Sequence, residues 1–240
     1  MVKILLVVFV FSSQIVNANT CNISIDIGHS PKTPGATSAR GVSEFEFNKI
    51  LAFKVKEELD NISNIKAKIL NPTHSEISLM SRVDKSRNPN VDLFVSIHHD
   101  SVKERFLKKW NFLGKTLRYT DKFKGYTVIV SPKNKHFKSS LQAAKEVGKF
   151  LLKSGEKPSK YHRMKIKGES KEYFSETYGV MRYDNLVVLK RNPVPAILIE
   201  AGVIINREEE LRLTDPDFIS NFSEQTARGI SEWCKKKKHF

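Results

Sequence analysis

Three apolar runs in this chain each finish on an ionisable residue: Ile25-Asp26-Ile27-Gly28-His29, Val95-Ser96-Ile97-His98-His99-Asp100 and Ile197-Leu198-Ile199-Glu200. Short runs rich in Ile and Val, broken by Gly or by a charge, read as buried strands. In an open α/β sheet, ligands gather in the crevice at the carboxyl ends of parallel strands. If these three strands are parallel neighbours, two imidazoles and a carboxylate converge there, and that convergence is metal chemistry. A His2Glu set with one open position is a catalytic zinc arrangement that lowers the pKa of bound water to about 7, and such a site also needs a general base beside the water.

The remainder of the sequence alternates strand-like and helix-like segments without an internal repeat or a dividing linker, which specifies one α/β domain. Strands are expected at 22–27, 91–97, 126–130 and 196–199, and amphipathic helices at 44–62, 139–152 and 217–233. Ser43 followed by Glu46 has the form of a capping box, so the first long helix starts near Glu44. Residues 103–124, rich in Lys, Arg and aromatics, and the polar 154–175 read as surface insertions. Residues 1–18 carry Lys3, an apolar run and a small-residue end, the order of a secretory signal, and the run is too short for a permanent membrane span. The chain is therefore expected to be exported, with 19–240 as its working domain. The formal charge of +15 on 240 residues falls to +14 when Lys3 leaves with the signal. A 40% hydrophobic content argues against a disordered basic coat protein, and the charge implies an acidic partner without naming it. Two cysteines, Cys21 and Cys234, exclude a disulfide-dense scaffold, and export permits a disulfide between them or leaves both free.

Glu200 lies between apolar residues on both sides, so its carboxylate needs a partner, such as a buried Arg, or a raised pKa. His98 and His99 compete for one role because adjacent strand residues point to opposite faces. Glu46 is taken up by the capping box, which leaves Glu44 as the third ligand or as a carboxylate favoured by the helix dipole. His74, His136, His162 and His239 are read as ordinary core or surface histidines.

Taken in order, Ile25-Asp26-Ile27-Gly28-His29-Ser30, Pro34-Gly35-Ala36, Glu44-Phe45-Glu46-Phe47-Asn48, Asp92-Leu93-Phe94-Val95-Ser96-Ile97-His98 and Pro195-Ala196-Ile197-Leu198-Ile199-Glu200-Ala201-Gly202 resemble the motif series of the zinc-dependent N-acetylmuramoyl-L-alanine amidases of the amidase_3 type. The resemblance implies that His29, Glu44 and His98 hold one zinc ion and that Glu200 is the catalytic glutamate. It also implies a mixed sheet of about six strands flanked by helices, and hydrolysis of the amide between N-acetylmuramic acid and L-alanine in peptidoglycan. Asn206 falls where the family has an Asn before its final helix.

Three departures stand out. Ser30 replaces the usual Gly, which stiffens the loop carrying His29. His99 replaces a small residue, and 103–124 lengthens the region after His98. In that segment Phe106, Leu107, Trp110, Phe112 and Leu113 suit either a helical lid displaced by an activator protein or a basic hairpin that grips glycan or peptide carboxylates. The rival functions are a zinc peptidase cutting within the stem peptide and a non-catalytic wall-binding module; nucleic acid is disfavoured by export and by scattered basic residues. Lys235–Lys238 reads as a solvated tail. The expected setting is the periplasm or the extracellular space, with the chain acting as a monomer.

Overall fold

The computed structural model describes residues 20–73, 75–164 and 171–237. The signal expected over 1–18, together with His74, Lys238 and His239, lies outside them. The elements in chain order are β1 (Cys21–Ile27), α1 (Glu44–Asp60), β2 (Ile65–Ile69), α2 (Leu79–Lys85), β3 (Leu93–Asp100), β4 (Lys108–Phe112), β5 (Lys115–Tyr119), β6 (Thr127–Val130), α3 (Phe137–Lys153), β7 (Tyr173–Ser175), β8 (Val180–Arg182), α4 (Val187–Lys190), β9 (Ala196–Val203), α5 (Arg207–Leu213) and α6 (Pro216–Lys237). Seven strands form one sheet in the order β2-β1-β3-β9-β6-β8-β7, and β4 with β5 makes a separate hairpin. From β2 to β9 the strands are parallel; β6 runs antiparallel to β9, β8 parallel to β6, and β7 antiparallel to β8. The mixed α/β sheet is the one expected, with seven strands in place of about six.

Pleating decides what each face carries. Leu93, Val95 and Ile97 of β3 and Ile197 and Ile199 of β9 turn toward α1, α3 and α6, where Phe45, Leu51, Val147, Phe222 and Trp233 complete the larger core. Phe94 and Leu198 turn the other way, onto Val188 and Leu189 of α4. His98 shares its side of β3 with Phe94, and Glu200 shares its side of β9 with Leu198, so both face the α2–α4 side.

Several expectations are corrected. Helix α1 starts at Glu44, but Ser43 makes no side-chain cap and Glu46 pairs with Lys49, so there is no capping box. Glu46 N, the group a Ser43 side chain would cap, donates instead to Ser43 O (3.1 Å), while Glu44 N donates to Ala36 O (2.8 Å) and Phe45 N to Pro34 O (3.0 Å), which leaves a capping side chain nothing to do. Within 154–175, Tyr161 is buried and β7 forms the sheet's far edge. A three-residue strand among polar residues is too short to show a period of two. The 103–124 segment holds a hairpin and no lid helix. Trp110, Phe112, Leu117 and Tyr119 recur with period two, and Leu113 (φ 48°) and Gly114 (φ 76°) form a two-residue turn with both residues left-handed. Lys235–Lys237 continue α6, with Lys236 paired to Glu146 and Lys237 to Asp92, because those carboxylates lie within reach of the last turn.

Cys21 and Cys234 form a disulfide that fastens the first strand to the last helix across 213 residues of sequence. Replacing both with Ser is expected to lower the unfolding free energy by about 2–5 kcal/mol, read from urea unfolding followed by circular dichroism.

Candidate metal centre

The order β1-β3-β9 makes the three predicted strands parallel neighbours. His29 stands two residues past the end of β1. His98 and Glu200 are not at strand ends as expected: β3 runs on to Asp100 and β9 to Val203, and the two residues are register partners across them. Glu44, the first residue of α1, completes the group. His98 Nδ1 lies 2.9 Å from Glu44 Oε1 and His29 Nε2 lies 3.1 Å from Glu44 Oε2. One donor atom from each of the three residues lies within 4.8 Å of the others. Ligands at 2.0–2.1 Å around a tetrahedral ion stand roughly 3.4 Å apart, so the spacing and the nitrogen and oxygen donors fit a zinc-like cation.

The surroundings leave room for these side chains and little else. A Cβ on Gly28 would come within 2.3 Å of His98 Nε2, and one on Gly35 within 2.5 Å of Glu44 Oε2. Glu44 Oε2 also accepts from Ala36 N (3.0 Å), and Oε1 accepts from Asn48 Nδ2 (3.3 Å). Asn48 Nδ2 donates as well to Gly28 O, and both of its partners are acceptors, so the amide orientation is fixed. Its Oδ1 therefore receives Nδ1–H of His99 at 2.8 Å. His99 points to the α1 side of the sheet, outside the metal group, and burial pushes its pKa down to about 3, which keeps it neutral.

His29 adopts φ +69°, a left-handed conformation uncommon for a non-glycine residue. Arg82 of α2 holds it there, donating from Nη2 to His29 O (2.7 Å) and from Nη1 to Ile27 O (2.6 Å) while pairing with the buried Asp26. Ser96 Oγ donates to the other Asp26 oxygen at 2.8 Å. Ser30 Oγ meets Thr33 Oγ1 at 2.9 Å and tightens the same loop.

Among the carboxyl groups facing this space, Glu44 and Glu200 are driven in opposite directions. Burial would raise the pKa of Glu44, but hydrogen bonds to His29 and His98 outweigh it and hold the group well below the usual carboxylate range. Glu200 is pushed well above its ordinary value, first by burial and then by the negative charges of Asp100 and Glu44. Its Oε2 is buried without a hydrogen-bond partner. The alternative of a Glu200–Arg ion pair fails among the described residues, since the buried Arg82 is committed to Asp26. A cavity of ≈ 630 Å³ opens over this wall, lined also by Ile77, Leu79, Leu186 and Val187.

Other residues take different places. His162 pairs with Asp100 at 3.1 Å, and His136 stands at the start of α3. Asn206 caps the short α5, accepting from Glu208 N and Glu209 N and donating to Phe123 O, and α5 precedes the final helix. Arg82 and Asn48 carried no role in the sequence reading. A charge at Asp26 inside an apolar strand, and Asn48 one helical turn after Glu44, were their only signals.

A parallel-sheet crevice with a His-Glu-His cluster that could hold a metal ion, beside a buried carboxyl whose pKa is raised, suits a hydrolytic site. The family model for N-acetylmuramoyl-L-alanine amidase (Amidase_3) matches residues 23–232, and the chain belongs to that family. It is 25% identical over 214 residues to the endolysin of Bacillus phage SPP1, covering 89% of this chain and 66% of that one. Its fold matches the crystal structure of the amidase Ami1 from Mycobacterium smegmatis with a TM-score of 0.71 at 16% identity, over 92% and 99% of the two chains. It also matches the CwlD amidase from Clostridioides difficile, solved in complex with the GerS lipoprotein, with a TM-score of 0.66 at 21% identity over 90% and 99%. This chain is an N-acetylmuramoyl-L-alanine amidase, a hydrolase of peptidoglycan. No helix among the described residues is long and apolar enough to cross a membrane.

Arg82→Met strands the buried Asp26 carboxylate and is expected to destabilise the fold by about 3–5 kcal/mol, measured by denaturant unfolding. Adding Asp26→Asn to that variant is expected to recover part of the loss.

Proposed function

We propose that His29, Glu44 and His98 hold one zinc ion and that Glu200 carries the proton in hydrolysis of the lactyl–alanine amide. The observation that carries this reading is the pair of imidazole nitrogens, 2.9 and 3.1 Å from the two oxygens of a single carboxylate, on the cavity wall that also presents Glu200. When bound, zinc supplies a Lewis acid for the lactyl carbonyl and lowers the pKa of water toward about 7.

Glu44 stays ionised and acts only as a ligand. Glu200, its pKa raised by burial and by the charges of Asp100 and Glu44, suits the role of a group that both takes and gives a proton. It accepts a proton from the attacking water and delivers it to the nitrogen of the departing alanine. The water oxygen ends on the lactyl carboxyl group, and the stem peptide leaves with a free amine. His29 and His98 are held as donors by the backbone and by Glu44, so binding a cation requires little rearrangement.

Residues 1–18 direct export, 19–240 form the catalytic domain, and the enzyme works as a monomer in the periplasm or outside the cell. The GerS lipoprotein bound to the CwlD amidase supports an activator protein as a further partner. A zinc peptidase cutting within the stem would leave L-alanine on the glycan.

The test is digestion of purified peptidoglycan with mass spectrometry of the fragments. The expected products are intact stem peptides beginning with a free L-alanine amine and uncut glycan strands, with loss of activity in chelator and recovery on zinc addition. Glu200→Gln is expected to lower turnover by at least about 100-fold while retaining one zinc per chain by metal analysis; undiminished lysis would remove Glu200 from the role. Gly28→Ala, which crowds His98, is expected to weaken zinc binding by about 10–100-fold in a chelator competition.

A further inference from the structure

We propose that the β4–β5 hairpin is an anchoring arm that binds carboxylates of peptidoglycan stem peptides away from the cavity where the amide is cut. This inference rests on the peptidoglycan substrate given above. None of residues 104–119 lines that cavity, so the arm has no place in the chemistry.

The hairpin's two faces do different work. On the inner face Trp110 stacks on Phe112 with ring centres 5.2 Å apart. The Arg40 and Arg207 guanidinium groups lie 5.5 and 5.2 Å from the Trp110 ring, and Arg207 lies 3.9 Å from that of Tyr119. Trp110 Nε1 donates to Ala39 O at 3.0 Å, and Arg207 makes two bonds to Asp121, at 3.0 and 2.6 Å. These contacts seat the arm rigidly on the body, so its outer face is presented in a fixed geometry.

That outer face is built against its own stability. Lys109 stands directly opposite Arg118 across the two strands, and like charges in that position repel. Glu104, 2.7 Å from Arg118, relieves only one member of the pair and is itself largely exposed. Lys108 and Lys115, register partners of Tyr119 and Phe112, stand at the two ends of the aromatic face; like Lys109 they are exposed, and no carboxylate among the described residues is paired with any of the three. Beside them Thr116 Oγ1 donates to Asn111 Oδ1, adding a neutral polar pair. Residues 103–124 hold eight Lys and Arg against two Asp and Glu.

Lys along an exposed strand edge guards against pairing with other chains, but setting Lys109 directly opposite Arg118 adds a repulsion that such guarding does not call for. A single sign across both strands selects an anionic ligand. The carboxylates of stem peptides, repeated along an insoluble polymer, supply that charge at many points at once. Contacts of this kind are screened over about 8 Å at physiological salt, so they hold the enzyme loosely and release it as salt rises.

The test uses Glu200→Gln protein, so that the polymer is not consumed, with and without the four substitutions Lys108→Gln, Lys109→Gln, Lys115→Gln and Arg118→Gln. Sedimentation with purified sacculi at ~150 mM salt is expected to show at least about fivefold weaker binding for the neutral-arm protein. Binding by the unaltered arm is expected to fall with salt, and to fall when sacculus carboxyl groups are amidated. A charge-keeping variant carrying Lys108→Arg, Lys109→Arg and Lys115→Arg is expected to bind as the parent does, which separates charge from folding. With Glu200 intact, the neutral-arm enzyme is expected to cleave a small soluble muramoyl-peptide at the parent rate. Equal sacculus binding by neutral and charged arms overturns the proposal. Binding that survives amidation but is lost when phosphodiester polymers are stripped from the wall also overturns it. Failure of the parent enzyme to cleave the soluble muramoyl-peptide would instead count against the substrate reading.

Discussion

The register of backbone hydrogen bonds between β3 and β9 sets His98 opposite Glu200, and the site depends on it. Strand side chains alternate with a period of two, so a slip of one residue would turn Ile97 or Ile199 to the cavity and bury an imidazole or a carboxyl in the core. The apolar faces of β3 and β9, packed on α1, α3 and α6, prevent that slip. Core packing on one side of the sheet thus fixes the chemistry on the other.

Three of the acidic residues lining this cavity, Asp26, Glu44 and Glu200, stand in three electrostatic conditions. Asp26 is neutralised by Arg82 and Ser96 and acts through the backbone, because the same guanidinium holds the carbonyls of Ile27 and His29. Glu44 meets two imidazoles and stays ionised. Glu200 has neither cation nor donor on its Oε2, and burial with the charges of Asp100 and Glu44 raises its pKa. Environments that push carboxyl pKa values apart are how one site divides ligand from acid–base roles. His99, next to His98, is kept neutral and orients Asn48 and through it Glu44.

The parts of this arrangement legible in the sequence were those written as local pattern. Ionisable residues ending apolar runs identified His29, His98 and Glu200 before their convergence was visible, and a carboxylate at the start of a helix marked Glu44. Pattern could not show that α2 would fold back to place Arg82 beneath His29, since that contact joins residues 53 apart in sequence. Nor could it show that β9 continues past Glu200, because Ala201-Gly202-Val203 reads equally as a strand or a turn. The capping box at Ser43 fails for a related reason: Glu46 N bonds the Ser43 carbonyl, and the 34–36 turn takes the N–H groups of Glu44 and Phe45, so the helix start is satisfied without the local motif. The hairpin was legible as one of two readings, and the period-two placement of its aromatics decided between them.

Zinc-edge anomalous diffraction from crystals of the zinc-loaded protein tests the central claim most directly. A single strong peak is expected within about 2.0–2.2 Å of His29 Nε2, His98 Nδ1 and a Glu44 carboxylate oxygen, with Glu200 facing it across the cavity. A peak at another site, or no peak in crystals of protein that cleaves peptidoglycan, would contradict the account.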